Sequence, residues 1–257
     1  MKRILHLLML CCASLGTVCI SAQQTSHPPS SVVPFIGCES EGMSGHVDAP
    51  SGKPLRLRIS QKNAARLAYY SVLPGLSALA PRGWHCIDIY GSNGADLLIT
   101  PQLMDANAAV EALQGRKLDG PAVVLTFSNG FSSGREEVAS VVSRVFPAHL
   151  RLVRDAARNA EIDVPVPAYL GPFPGDRLRY RSSESLAFTT PAGRQGIGTL
   201  LAPLQPSTQS IYGVQILVKD RGDCCDLLSL SVRLPSNYSD VVPILQREVQ
   251  RESDKYR

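Results

Sequence analysis

The chain has 257 residues, 44% of them hydrophobic, and a formal net charge of +4. Loss of residues 1–22 would remove Lys2 and Arg3 but no acid, leaving +2, a near-neutral balance that argues against a dedicated nucleic-acid binder. What remains is long enough for a real core in one domain, 32–257, or in two sub-domains meeting near 163.

The chain opens with Met1-Lys2-Arg3, a short apolar run, and Ser21-Ala22 before a polar stretch. That order predicts a cleaved signal peptide over 1–22, a periplasmic or extracellular product, and no transmembrane segment afterwards. The Pro-rich polar stretch from Gln23 to Ser31 reads as a flexible leader. Three cysteines leave with the signal, and Cys38, Cys86, Cys224 and Cys225 remain. An even count in an exported chain implies disulfides, with three possible connectivities. The first choice is Cys38–Cys86, with Cys224 and Cys225 as a vicinal pair or as thiols. The alternative bonds Cys38 and Cys86 each to one of that pair. No CxxC or HxxxH spacing suggests zinc, and no cofactor or metal is implied.

Leu55, Leu57 and Ile59 alternate with Arg56 and Arg58 as in a half-buried strand. Ser60 can cap a helix from Gln61 to about Val72, stopped by Pro74-Gly75. Residues 80–101 read as two strands around Gly91-Ser92-Asn93-Gly94, a tight-turn sequence. Asp105 starts a short helix ending at Gly115. Ala122–Phe127 is an apolar, β-branched strand. Val138, Val141, Val142, Val145 and Phe146 then form a helical stripe. Pro147 interrupts it, and Leu150, Val153, Ala157 and Ile162 suggest a further helix.

Beyond Val164, strands are predicted over 176–182, 186–190, 196–201, 211–219 and 227–234, with turns at Gly193 and Gly222. A terminal helix is expected with Asp240 as N-cap and with Val241, Ile244, Leu245 and Val249 facing the core. One unit appears twice in outline: strand, Ser-Asn, loop, helix, at Val123–Phe146 and Leu227–Val249. Strands and helices mix without strict βαβ alternation. The fold class is therefore α+β, with a mainly antiparallel sheet packed by several amphipathic helices.

Gly37-Cys38, Pro81-x-Gly83-Trp84-x-Cys86 and Gly91-Ser92-x-Gly94 resemble a pattern of uncharacterised exported bacterial proteins. The resemblance covers about the first third of the mature chain and implies no activity. The Pro-x-Gly-Trp strand, the glycine turn and the late strand leading to a terminal helix are similar to PsbP-like domains. That likeness implies a small sandwich acting in binding or assembly, and it carries no site.

Gly130-Phe131-Ser132-Ser133-Gly134 spells G-x-S-x-G, the pattern of a serine nucleophile on a strand-to-helix turn. His149 alone follows Ser132, and the intervening helix carries it about 20 Å away. His46 or His85 would serve only in another fold order. The same residues read as a capping box, Ser133-x-x-Glu136, preceded by a turn at Asn129-Gly130. Anion binding at this helix start, helped by Arg135, is a middle reading.

His85 and Cys86 are adjacent on a strand and point to opposite faces, so they make no thiol dyad. Gly222 to Leu228 resembles the start of NlpC-type cell-wall peptidases, but no His follows Cys224. Arg177, Arg179 and Arg181 share one strand face, and Arg56 and Arg58 another. Together they could bind phosphate, lipid headgroups or acidic glycans, or form ordinary solvated faces. Tyr180 should point to the core. Asn237-Tyr238-Ser239 is a glycosylation sequon of use only in a eukaryotic secretory pathway. The reading is a non-catalytic module for an unknown protein or envelope component. A Ser132 hydrolase and an arginine-based anion or glycan binder are the alternatives.

Overall fold

The computed structural model describes residues 30–72, 75–115, 118–159, 161–162, 170–219 and 225–256. Residues 1–22, expected as a signal peptide, and most of the expected leader lie outside them, but Ser30 and Ser31 do not. These two belong to a strand rather than to a flexible leader.

The first strands are β1 (Ser30–Val33), β2 (Phe35–Gly37), β3 (Glu39–Gly42) and β4 (Leu55–Arg58). β1 and β4 pair antiparallel as a separate two-stranded ribbon. Ser60 caps α1 (Gln61–Arg66), accepting from Asn63 N–H at 3.3 Å. The helix stops six residues earlier than predicted, because Leu67–Ser71 is a strand, β5. All five of its residues are buried, so no period marks them as strand or helix. Tyr69, Tyr70 and the following Val72 favour the extended form. β5 pairs parallel with β2 and antiparallel with β6 (Ser77–Pro81), completing a three-stranded sheet.

The Asn93-Gly94 hairpin joins β7 (His85–Gly91) to β8 (Gly94–Thr100). Gly94 has φ +142°, and a Cβ there would lie 1.7 Å from the Phe127 carbonyl oxygen, so only glycine fits. Asp105 accepts from Ala108 N–H at 2.8 Å, starting α2 (Ala106–Gly115). Then come β9 (Ala122–Ser128), α3 (Arg135–Val145), a 3₁₀ turn over Pro147–His149 and α4 (Leu150–Arg158). The C-terminal part holds β10 (Arg177–Tyr180), β11 (Ser185–Thr190), β12 (Ile211–Lys219), β13 (Cys225–Arg233) and α5 (Val242–Glu252). The strand expected over 196–201 is instead a 3₁₀ turn, Ile197–Thr199, whose Ile197 N–H donates to Asp176.

The large sheet has eight strands in the order β10-β11-β12-β13-β9-β8-β7-β3. It unites strands from both sides of residue 163, and that position itself lies outside the described residues. The α+β class holds, but the expected mainly antiparallel sheet is corrected to a mixed one. β3 runs parallel to β7, and β2 runs parallel to β5 in the small sheet. The reason is chain order. β3 reaches β7 not by a hairpin but after the chain has built β4, α1, β5 and β6 elsewhere.

The repeated outline is real. β9 and β13 lie side by side, antiparallel, with Leu125 opposite Leu230. The helices that follow them take opposite faces. α3 packs its stripe with Val124 and Leu227, whereas α5 packs Leu245 and Val249 with Leu125, Leu230 and the small sheet. The core thus lies in two layers, one on each face of the large sheet.

Candidate functional site

The Ser132 loop sits on the β7–β8 turn. Asn129 N–H donates to the Asn93 carbonyl at 2.7 Å, and Ser132 Oγ donates to the Ser92 carbonyl. Gly130 N–H donates to Asp226 at 2.9 Å. Ser133 Oγ lies 2.7 Å from Ser92 Oγ instead of capping α3, whose N-cap is Gly134 without a side-chain bond. The capping-box expectation is therefore corrected. A Cβ on Gly134 would lie 2.3 Å from the Asn93 carbonyl oxygen, so the second glycine permits close backbone approach.

No base attends Ser132 among the described residues. His149 lies beyond α3, eleven residues or about 16 Å long, with Nε2 3.8 Å from Glu184. His85 starts β7, about 20 Å of strand from the turn. His46 has both ring nitrogens against carboxylates, Glu41 at 2.7 Å and Asp48 at 3.2 Å. Its pKa is raised, chiefly by the Glu41 bond.

A groove of about 650 Å³ adjoins this loop and α4. Its charges neutralise one another. Arg135 pairs with Glu161 at 3.5 Å, and Arg151 and Arg158 both reach Asp155. With Glu136 and Glu137 in the first turn of α3 as well, the Arg135-assisted anion site loses its basis.

Cys38 and Cys86 form the expected disulfide, closing a separation of 48 residues. Cys38 N–H donates to Ser71 in the small sheet, and the next residue, Glu39, pairs with Ile87 in the large one. The bridge thus staples the point where the chain changes sheets. Trp84 packs against the same core cluster as Cys86. Cys225 is buried at the start of β13. Cys224 lies outside the described residues, and so does the vicinal pairing.

Two carboxyls lie in the sheet. Burial pushes Asp88 up to about 6, with Ser40 opposing. Burial also pushes Asp96 up to about 7, helped by Glu137 and Asp88 and opposed by a Thr126 hydrogen bond. They belong to opposite faces of β7 and β8, since Asp96 is opposite Ile89 and Asp88 opposite Leu97. They therefore form no catalytic pair across one cleft.

The arginine strand is different. β10 is the terminal strand of the large sheet, Arg177 and Arg179 share its α5 side, and Arg181 directly follows it, within the field of Arg179. They are joined there by Arg247 of α5, which the sequence reading missed. Partial burial, then the positive fields of Arg179 and Arg247, lower the pKa of Arg181, though a guanidinium stays charged. All four side chains are exposed, and none has a carboxylate partner among the described residues. Arg177 and Arg179 rim a groove of about 340 Å³ whose apolar lining includes Tyr212, Val242 and Pro243. Its wall forms because Val242 and Leu245 bury against the sheet while Arg247 turns to solvent.

Arg56 and Arg58 do not join this cluster, so the anion site expected from the two arginine strands together is corrected. They lie on β4, in the separate ribbon. Tyr180 also departs from expectation. It is 49% exposed, and its hydroxyl donates to the Val145 carbonyl at 2.7 Å, tying the edge strand to the end of α3.

No family model, curated protein or solved structure matches the chain. Among the described residues no helix is long and apolar enough to cross a membrane.

Proposed function

We propose that the chain is an exported, non-catalytic α+β module that binds an anionic ligand at its arginine edge. One observation carries this reading: Arg177 and Arg179 rim a groove, Arg181 and Arg247 lie within electrostatic reach, and all four are exposed with no carboxylate partner among the described residues. Surface arginines in folded proteins commonly find acids, as Arg66 does with Asp240 at 2.8 Å and Arg251 with Glu252 at 2.8 Å. A set left unpaired concentrates positive potential and raises the local concentration of anions. Arginine suits carboxylate and phosphate because its planar fork donates two parallel hydrogen bonds.

The signal-type sequence of residues 1–22 and the disulfide support export to an oxidising compartment, the periplasm or the exterior. The PsbP-like likeness points to the same class of role, binding or assembly, by analogy alone. The hydrolase reading is not carried forward, because the Ser132 hydroxyl is engaged with the Ser92 carbonyl.

The test is salt elution from a polyanionic resin. The Arg177→Glu/Arg179→Glu variant should elute at distinctly lower salt than the native protein. Arg56→Glu/Arg58→Glu, with the same change in net charge, should elute later than the edge variant. Equal elution of the two variants would show that bulk charge, not the edge, governs binding, and would refute the proposal.

A further inference from the structure

The two edges of the large sheet differ. At the β3 edge the chain folds back on itself. Ser40 N–H donates to the Val47 carbonyl at 3.0 Å, and Val47 N–H to the Ser40 carbonyl at 2.8 Å. At the other edge β10 pairs with β11, from Arg177 opposite Thr189 to Tyr180 opposite Leu186. Among the described residues nothing pairs with its outer side. A strand edge left in this state offers a row of backbone donors and acceptors.

The side chains select what can use that row. A second copy of β10 would set arginine against arginine, and like charges directly opposite destabilise strand pairing. The edge therefore resists self-association while remaining open to an acidic strand. From the anionic reading above, on which this step rests, we infer that β10 receives an extended acidic peptide by strand addition.

The spacing fits. Alternate residues of a strand stand about 6.7 Å apart, which is the spacing of Arg177 and Arg179, and Arg181 directly follows the strand. A peptide strand has the same rise, so acids at every second position would each face one arginine, with Cβ atoms about 5 Å apart. Arg247 of α5 adds positive field beside Arg181, and the apolar lining at Tyr212 and Val242 accepts the aliphatic parts of the same side chains. The other face of β10 is occupied by Leu178 in the core and by the Tyr180 tie to α3, which holds the edge in place. A polysaccharide or free phosphate would meet the charges but leave the backbone row unused.

The test uses the chain from Gln23 onward, with β1 intact, and three probes. They are a fluorescent nonapeptide of alternating Glu and Thr, the same peptide with alternate amides N-methylated, and polygalacturonate. The first peptide should bind and slow amide hydrogen exchange at 177–180. N-methylation should weaken it about tenfold or more at unchanged charge, and so should Arg179→Glu. Equal binding of both peptides, without new protection at β10, would overturn strand addition and leave the anionic site standing. Binding of polygalacturonate alone would also overturn it, in favour of an acidic polysaccharide. If Arg179→Glu alters binding of none of the three, the anionic site itself falls. Circular dichroism of Arg179→Glu, an exposed position, establishes that the variant is folded.

Discussion

Replacing Asp96 by asparagine should make the protein less sensitive to alkaline pH. Thr126 Oγ donates to Asp96 Oδ1 at 2.5 Å, and the buried row continues with Ser229, which accepts from Gln215 at 2.8 Å. The Asp96→Asn side chain keeps an oxygen for Thr126 and removes the charge. The native carboxyl, at about 7, binds its proton more tightly than the unfolded chain does. Its contribution is therefore fully present below about pH 4 and is lost as pH rises through about 7. A change from ordinary to about 7 corresponds to ~4 kcal/mol. Asp96 as a residue is only partly buried, although its carboxyl is densely surrounded, so water should screen this to ~2 kcal/mol. Urea unfolding at pH 4.5 and 8, followed by the fluorescence of Trp84, the sole tryptophan, measures the effect. The native protein should lose ~2 kcal/mol more than the variant between the two pH values. Asp88, held at about 6, gives both proteins a common remaining loss. Equal pH dependence in the two would refute a strained carboxyl at Asp96.

Removing the bridge as Cys38→Ala/Cys86→Ala should cost ~4 kcal/mol from the 48-residue separation, read as a lower denaturant midpoint; under 1 kcal/mol would deny the staple role. Gly134→Ala should cost ~2–3 kcal/mol or more because its Cβ meets the Asn93 oxygen, whereas Ser132→Ala should cost ~1 kcal/mol or less. A fluorophosphonate probe should leave Ser132 unlabelled, and either labelling or the reverse stability order counts against a structural loop. Arg233, fully buried, donates to the carbonyls of Gly120, Gln205 and Leu118. Lysine cannot match that fork, so Arg233→Lys should destabilise by ~3 kcal/mol in urea melts; a neutral result would show the guanidinium to be dispensable.

The cap at Asp105, the Asn93-Gly94 turn and the α3 stripe were legible because local chemistry and a buried–exposed period decide them. The Cys38–Cys86 bond was legible as the first of several pairings. Where a segment is buried on every side, as at Leu67–Ser71, no period exists, and a strand was read as helix. The caps expected at Ser133 and Asp240 failed for another reason. Each side chain found a distant partner, Ser92 and Arg66, that no local rule contains.

The sequence by itself determined that Arg177 and Arg179 share a face, since strand geometry alternates side chains. Only the tertiary structure decided that β10 is an edge, that Arg247 faces it from 66 residues after Arg181, and that Arg56 and Arg58 stand elsewhere. Strand order and helix placement come from long-range burial on both faces of the sheet, and that information is spread over the whole chain rather than held in any one stretch of it.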